Sequence, residues 1–182
     1  MAMTHDPIRE SRAHCEHAFA FLVHDYGCRI RARYLDGSGY EVYYWNTTTG
    51  VRVVYQIQDP LYVYLCQLPA VPFPPGREEF GAYRRIEWFD LLDIIDLRTK
   101  QRPSFDLETT YGIPSIAVVE QYAEWVRLHC DSILRGDFSL FPELRRRVNS
   151  RIAQTNQFPY QPAGEVCPDS GEARPGGMED HG

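Results

Sequence analysis

The chain has 182 residues, 43% of them hydrophobic, and a formal net charge of −6, of which −4 lies from Gln157 onward. This length predicts a single globular domain, and the absence of any run of about 18 apolar residues excludes a membrane-spanning helix. Because the other residues carry only −2, and a general nucleic-acid binder usually has a basic domain, the charge also disfavours nucleic acid as the partner.

The first predicted element is a helix over residues 10–25. Its inward stripe has the i, i+3, i+4, i+8 spacing of an amphipathic helix and consists of Ala18, Phe21, Leu22 and Tyr26. Gly27 follows at once, and glycine is the residue type that most often ends a helix, since it adopts left-handed backbone angles without strain. The sequence therefore predicts one helix that ends just before the first strand.

Four short strands follow, separated by segments rich in turn-forming residues. They are predicted at residues 29–35, 40–47, 51–58 and 61–68. Connections this short cannot provide the crossover that parallel neighbours need. The strands are therefore expected to form a four-stranded antiparallel meander.

Side chains alternate between the two faces of a strand, so each strand assigns its residues to a core face or to an outer face. The predicted core face is mainly aliphatic and consists of Ile30, Ala32, Tyr34, Val42, Tyr44, Val51, Val53, Tyr55, Ile57, Val63 and Leu65. The outer face combines arginine with aromatic side chains, and its candidate binding residues are Arg29, Arg31, Arg33, Tyr43, Trp45, Arg52, Tyr62 and Tyr64. We name this second set the aromatic–arginine face.

A proline-rich segment at residues 69–77 leads away from the sheet, because neither a helix nor a strand tolerates so many prolines. A helix is then predicted over residues 86–97. Its apolar stripe consists of Trp88, Leu91, Leu92 and Ile95. The polar segment 98–112 is long for a loop in a compact domain, and such loops are often functional or mobile.

Two further helices are predicted. The longer one starts after Pro114 and ends at Gly136. Its apolar stripe consists of Ile116, Val119, Ala123, Val126, Cys130 and Ile133. Ser139 is positioned to cap the last helix, whose apolar seam consists of Leu144, Val148 and Ile152.

The order of these elements predicts an α+β protein with an N-terminal helix, a four-stranded antiparallel meander and three helices packed on the sheet. This single domain is expected to cover residues 10–155. Residues 156–182 are rich in proline, glycine and acidic side chains, a composition typical of a disordered tail.

The aromatic–arginine face is the strongest functional feature of the sequence. Arginine beside tyrosine or tryptophan allows cation–π contacts of roughly 0.5–1 kcal/mol per exposed pair. The same residue types dominate protein interfaces, and aromatic platforms also stack the bases of single-stranded nucleic acid. In the opposite interpretation, one of the C-terminal helices covers this face and its aromatic side chains form a second core.

Four acidic residues recur every three positions around the predicted middle helix: Glu87, Asp90, Asp93 and Asp96. This spacing spreads the carboxylates over the outer side of the helix, whereas a metal site needs oxygen atoms that converge. We interpret them as a solvated acidic face or as a secondary patch for a basic partner. The arginines at 145–147 and Arg151 either bind phosphate or an acidic partner, or form a solvated helix face that can pair with these acids.

No residue set predicts a metal site, a cofactor or a catalytic centre. His14 and His17 have a spacing that suits one helix face, but no third ligand lies near them. The five cysteines are odd in number and form no C-x-x-C pair, which indicates unpaired thiols in a reducing, cytoplasmic setting. The common nucleotide-binding, hydrolase and zinc-protease motifs are missing. An enzyme would need a site assembled from scattered residues, for example between the sheet and the loop at 98–112.

Two segments of the chain resemble known proteins. Residues 21–27 (FLVHDYG), followed by the Tyr- and Val-rich strands, and residues 122–128 (YAEWVRL), followed by 132–137 (SILRGD), are similar to a loose group of small bacterial α+β proteins. Some members of that group are immunity proteins of polymorphic toxin systems. The resemblance spans residues 14–152 and consists of structural motifs, so it implies no catalytic residue.

These observations predict a non-catalytic, cytoplasmic protein-binding module, with no cofactor and no membrane contact. The resemblance narrows this prediction to an immunity-type protein that occludes a partner protein. An enzyme or enzyme accessory, and a single-strand nucleic-acid binder on the aromatic–arginine face, are the alternatives. Neither the identity of the partner nor the oligomeric state follows from the sequence.

Overall fold

The computed structural model describes residues 6–35, 38–68, 86–103 and 112–156. The proline-rich segment at 69–77, most of the predicted loop at 98–112 and the tail beyond residue 156 lie outside these described residues. The chain divides into two units, Met1–Arg147 and Val148–Gly182. The first unit contains the sheet, and the described part of the second is the end of the last helix.

The N-terminal segment forms two helices, α1 (Pro7–Ala18) and α2 (Phe21–Tyr26), where one was predicted. Helix α1 begins earlier than expected because the side chain of Asp6 accepts hydrogen bonds from the N–H groups of its first turn. Pro7 suits that turn, since its missing N–H would have no partner within the helix. Gly27, with φ of 64°, ends α2 as predicted.

The break between α1 and α2 allows Phe19 to enter the core. Its ring is completely buried and its centroid lies 6.0 Å from that of Tyr44 in the sheet. Phe21 is buried as well. A helix turns once in roughly 3.6 residues, so an unbroken helix would point these two phenylalanines to opposite sides. At the interruption the backbone forms shorter-range bonds, from Ala20 to His17 and from Leu22 to Phe19, and both rings are buried.

The sheet has five antiparallel strands in the order in which they occur along the chain. They are β1 (Arg29–Leu35), β2 (Gly39–Trp45), β3 (Thr49–Gln56), β4 (Tyr62–Gln67) and β5 (Phe89–Asp90). The predicted antiparallel meander is thus confirmed, and a short fifth strand is added to it.

The fifth strand replaces the first turns of the helix predicted over residues 86–97. Phe89 pairs with Leu65, and Asp90 pairs with Tyr64. The carboxylate of Asp90 also accepts a hydrogen bond of 2.8 Å from the N–H of Leu92, so helix α3 (Leu91–Thr99) begins only after it. Trp88 consequently precedes the strand and does not belong to a helical stripe.

The core face of the sheet was predicted correctly at the central strands. Its buried members there are Val42, Tyr44, Val51, Val53, Tyr55, Val63 and Leu65. Tyr40, which the prediction did not include, is buried as well. Three residues that were predicted on this core face are exposed to solvent instead: Ile30, Tyr34 and Ile57. The first two lie on β1, at the edge of the sheet.

Helices lie against this core face. From α1, the hydroxyl of Ser11 lies 3.1 Å from that of Tyr40. From helix α4 (Ile116–Leu134), the carbonyl of Ile133 accepts a hydrogen bond of 2.9 Å from the hydroxyl of Thr49. The predicted stripe of α4 is buried from Val119 to Ile133, whereas Ile116 is exposed in its first turn.

The last helix, α5 (Phe141–Asn156), begins two residues after the predicted cap at Ser139. Phe141 anchors its start, with its ring centroid 4.7 Å from that of Phe89, and Leu144 is fully buried. Ile152, which belongs to the second unit, is exposed. Among the described helices, none has the length and apolar character needed to cross a membrane.

Candidate binding face of the sheet

The register of the sheet places five candidate residues in one row across the outer face. Arg31 pairs with Tyr43, Tyr43 with Arg52, Arg52 with Tyr64, and Tyr64 with Asp90. Directly opposed residues on one face of a sheet have neighbouring side chains. The row therefore alternates cationic and aromatic groups over four strands and ends on a carboxylate.

A second row contains an acidic residue, Glu41, that was not among the predicted site residues. Glu41 pairs with Arg33 on one side and with Val54 on the other, and its side chain is only 2% exposed. The guanidinium groups of Arg33 and Arg52 both form ion pairs with its carboxylate. The hydroxyl of Tyr43 donates a further hydrogen bond to it at 3.1 Å. One buried carboxylate thus joins three of the predicted binding residues, from strands β1, β2 and β3.

This environment lowers the pKa of Glu41. Burial alone would raise that pKa, because a carboxylate loses hydration when it leaves water. The hydrogen bonds from Arg33 and Arg52, together with their positive charges, outweigh burial and favour the ionised form. Glu41 is therefore a charged anchor between two arginines at neutral pH.

The arginines of this cluster also contact the aromatic rings of the row. The guanidinium of Arg52 lies 5.8 Å from the ring of Tyr43 and 5.9 Å from that of Tyr64, and Arg33 lies 5.9 Å from the ring of Tyr43. Tyr62 stacks on Tyr64 with 5.9 Å between ring centroids. These cation–π and stacking contacts fix the planes of the rings relative to the sheet.

Trp88 also lies on the outer face, a position that the sequence did not predict. Its ring packs edge-on against Tyr43, with centroids 6.4 Å apart. A Cβ atom added at Gly50 would lie 3.4 Å from Cη2 of Trp88 and 2.8 Å from Sγ of Cys66. Glycine at this position is what lets the indole approach the strand so closely. Cys66 is completely buried at this place.

The predicted residues differ in their exposure to solvent. The three arginines of β1, Arg29, Arg31 and Arg33, are exposed. The side chains further into the sheet are half-buried, namely Tyr43, Trp45, Arg52, Tyr62 and Tyr64. Helices α1 and α4 contact the opposite face, through Ser11 and Ile133. The aromatic–arginine face is thus most accessible at β1.

The secondary acidic residues do not come together at one point. Glu87 pairs with Arg145 at 2.6 Å, and Asp96 pairs with Arg147 at 3.0 Å. Asp93 lies 3.6 Å from Arg102, and Asp90 caps α3. Pairing of these acids with the arginines of the last helix was one of the two interpretations of residues 145–147. Two such pairs are present, Glu87 with Arg145 and Asp96 with Arg147.

Groups that serve metal binding or nucleophilic chemistry do not converge in the described parts of the chain. There, no set of three or more His, Cys, Asp or Glu side chains has a geometry that would hold a metal ion. Cys15, Cys28, Cys66 and Cys130 are buried free thiols. Burial raises the pKa of each, to about 11 for Cys28, so they are protonated at neutral pH and are not activated nucleophiles.

Comparison of the chain with protein-family models, with curated proteins and with solved structures finds no match. The resemblance to immunity proteins therefore stays a prediction. What bears on function is the arrangement of side chains on the aromatic–arginine face.

Proposed function

We propose that the protein is a non-catalytic module that binds a partner protein through its aromatic–arginine face. The observation that carries the proposal is the row of Arg31, Tyr43, Arg52 and Tyr64 across four neighbouring strands, with the buried carboxylate of Glu41 in the adjacent row. Arginine and tyrosine are among the residues that most often dominate the binding energy of protein interfaces.

The side chains of this row are already held in place by contacts within the sheet, and this supports the proposal. Arg52 is hydrogen-bonded to Glu41 and lies between the rings of Tyr43 and Tyr64. Immobilising one flexible side chain at an interface costs about 0.5–1.5 kcal/mol. Because contacts within the sheet already restrain these side chains, a partner meets a surface that loses little further conformational entropy.

The charge of the face indicates that the partner presents acidic groups. Arg29 and Arg31 are exposed and, within the described chain, form no ion pair. The carboxylate of Glu41 is shared between Arg33 and Arg52. Asp90 is the other acidic residue in the two rows of side chains described above. The face therefore carries more positive than negative charge on a protein whose net charge is −6. Such local complementarity accelerates association and excludes wrongly charged partners.

In its narrower form, the proposal follows the resemblance to immunity proteins. The partner would then be a toxin domain with an acidic surface, and binding would occlude that surface. Co-expression of the chain with the candidate toxin tests this form directly: rescue of growth by the wild-type chain and loss of rescue by Arg31→Glu are the expected results.

Capture of the partner from the source cell tests the proposal in its general form. Arg31→Glu reverses an exposed charge without breaking an ion pair within the described chain, so thermal unfolding should be unchanged. We expect the captured protein to be lost with Arg31→Glu and retained with Leu128→Ala, whose position on α4 is 65% exposed. Capture that survives both Arg31→Glu and Trp45→Ala would contradict the proposal.

Nucleic acid is the competing occupant of the same face. Binding of a single-stranded oligonucleotide that weakens steeply with salt and is lost with Trp45→Ala would replace the protein partner in the proposal. A captured protein whose binding resists nuclease treatment is the result that supports the proposal as stated.

A further inference from the structure

Strand β1 is an edge of the sheet, and most of its residues are exposed. It is the first of five strands in spatial order and contains seven residues, so about 23 Å of strand faces outward. Ile30 is 42% exposed and Tyr34 is 41% exposed. Proteins usually shorten, cover or otherwise protect such an edge, because it can pair with another strand.

The hydrogen-bond pattern identifies which backbone groups of β1 point away from the sheet. The N–H of Asn46 donates to the carbonyl of Thr49 at 3.1 Å, and the N–H of Ile57 donates to the carbonyl of Ser38 at 2.7 Å. Since bonding directions alternate along a strand, the even-numbered residues of β2 bond to β3 and the odd-numbered ones bond to β1.

The same alternation assigns the backbone groups of β1. Arg29, Arg31 and Arg33 are the partners of odd-numbered residues of β2, so their N–H and C=O groups bond to β2. The N–H and C=O groups of the alternate residues, Ile30 and Ala32, therefore point outward. Within the described ranges, these two residues form no hydrogen bond on that side.

The side chains of β1 select among the strands that could pair with it. Its outer face carries Arg29, Arg31 and Arg33, and its other face carries Ile30 and Tyr34. A second copy of the chain, paired antiparallel about Arg31, would place arginine opposite arginine, and like charges directly opposite each other destabilise a pair. An acidic strand would place a carboxylate opposite each arginine and apolar groups beside Ile30 and Tyr34.

We infer that β1 accepts an extended segment of the partner protein as an added antiparallel strand, and that this segment alternates acidic and apolar residues. The inference rests on the proposed function and specifies its binding mode. Backbone hydrogen bonds to Ile30 and Ala32 supply affinity, and the carboxylates opposite the β1 arginines supply specificity. The partner thereby extends the aromatic–arginine face by one strand.

A labelled ten-residue peptide of alternating Glu and Val is the probe, used with the full chain. Its control has the same composition, with the glutamates and valines in separate blocks. In the proposed pairing, each valine lies opposite an even-numbered residue of β1 and donates its N–H to it, while each glutamate N–H points away. We expect the alternating peptide to bind and the block peptide to bind at least about tenfold more weakly.

N-methylation separates strand addition from simple charge attraction without altering the protein. Methylating two central valine nitrogens removes two hydrogen bonds to β1 and should weaken binding by about tenfold or more. Methylating two central glutamate nitrogens leaves those bonds in place and should have much less effect. Equal effects of the two modifications would overturn the inference.

Two variants of the protein test whether the backbone N–H groups and the arginines of β1 bind the peptide. Ala32→Pro removes an outward N–H but no bond to β2, a placement that edge strands tolerate; it should weaken the alternating peptide while thermal unfolding stays cooperative. Arg31→Glu should weaken binding of the Glu/Val peptide, because it places a carboxylate opposite a carboxylate at the centre of the strand. Binding that is indifferent to Arg31→Glu contradicts the inference.

The outcomes distinguish this inference from the proposed function. If capture of the cellular partner requires Arg31 but neither Ala32→Pro nor an excess of the alternating peptide affects it, the face binds the partner without strand addition and the inference fails alone. If Arg31→Glu and Trp45→Ala both leave capture intact, both fail. A concentration-dependent dimer by analytical ultracentrifugation that Ala32→Pro abolishes would assign the edge to a second copy, which also overturns the inference.

Discussion

Two of the arginine–carboxylate groups in the described residues share their chemistry and differ in their surroundings. In the first, Glu41 is almost completely buried between Arg33 and Arg52 on the sheet. In the second, Glu87 pairs with Arg145 between the start of β5 and helix α5, and both side chains are exposed. The same type of ion pair is therefore found both inside the packed surface of the sheet and in solvent.

The difference shows where charge contributes to the structure. Exposed ion pairs contribute about 0–1 kcal/mol, because water solvates the separated charges nearly as well. Breaking a buried pair by removing one partner costs about 3–5 kcal/mol, because the remaining charge stays buried. We therefore expect the Glu41 cluster to determine the geometry of the aromatic–arginine face, and the Glu87 pair to be nearly dispensable.

The largest expected effect is that of Arg52→Met. The substitution keeps much of the aliphatic contact of the side chain but leaves the carboxylate of Glu41 with Arg33 as its remaining cation. We expect a loss of about 3 kcal/mol in the free energy of unfolding, measured by urea denaturation. A loss below about 0.5 kcal/mol would mean that the cluster behaves like a surface pair.

The next largest expected effect is a dependence of the free energy of unfolding on pH, which arises from the carboxyl group of Glu41. Its pKa lies below the ordinary value of 4.5, so the folded protein holds the proton of this group less tightly than the unfolded chain does. The resulting stabilisation is fully present above pH 4.5 and is lost as the pH falls through the folded-state pKa. Glu41→Gln should therefore destabilise the protein at pH 7, by about 1–2 kcal/mol.

Denaturation midpoints of wild type and Glu41→Gln, measured between pH 7 and pH 3, check this prediction. The gap between the two proteins should narrow on acidification, because the wild-type carboxylate becomes protonated and resembles the amide. A gap that is constant over this range would assign the cost of Glu41→Gln to shape instead of charge.

Arg145→Met is the matched substitution in the exposed cluster. It removes the partner of Glu87, which then remains in contact with water. We expect a loss of less than about 1 kcal/mol by urea denaturation. A loss as large as that of Arg52→Met would remove the distinction between the two clusters.

Salt should produce the smallest effect and sharpen the comparison. At about 1 M salt the screening length falls to roughly 3 Å, which weakens interactions between exposed charges more than those between buried ones. The small penalty of Arg145→Met should therefore become undetectable in urea titrations at this salt concentration. The penalty of Arg52→Met should persist under the same conditions.

The two-residue period of the strands predicted the faces of the sheet, because alternation is a local property of the backbone. It did not identify Glu41, although this residue has the same phase as Tyr43. A charged residue is ordinarily assigned to solvent, and the two cationic partners of Glu41 come from other strands, β1 and β3. Its register position opposite Arg33 was the signal available in the sequence.

Helix boundaries depended on interactions that local patterns do not contain. The stripe from Ala18 to Tyr26 predicted one helix, but burial of Phe19 against Tyr44 divides it into two. The stripe that begins at Trp88 predicted another helix, but pairing of Phe89 with Leu65 takes those residues into the sheet. In both cases tertiary contacts outweighed a helical pattern of moderate strength.

The exposure of Ile30 and Tyr34 follows from strand order. Periodicity assigns both residues to the core face, and it does so correctly in direction. The first strand of a meander is necessarily an edge, so fewer elements remain to cover it. Sequence patterns report which way a side chain points and not how far the packed helices extend.

The position of Glu41 has one more consequence, for how the hairpins align as the chain folds. Its two cationic partners come from the strands on either side, so the contacts form only when both hairpins are in the native alignment. A shift of one residue in either hairpin would turn an arginine to the opposite side of the sheet, and the carboxylate of Glu41 would lose that counterion. A single acidic side chain thus penalises misaligned intermediates of three strands at once.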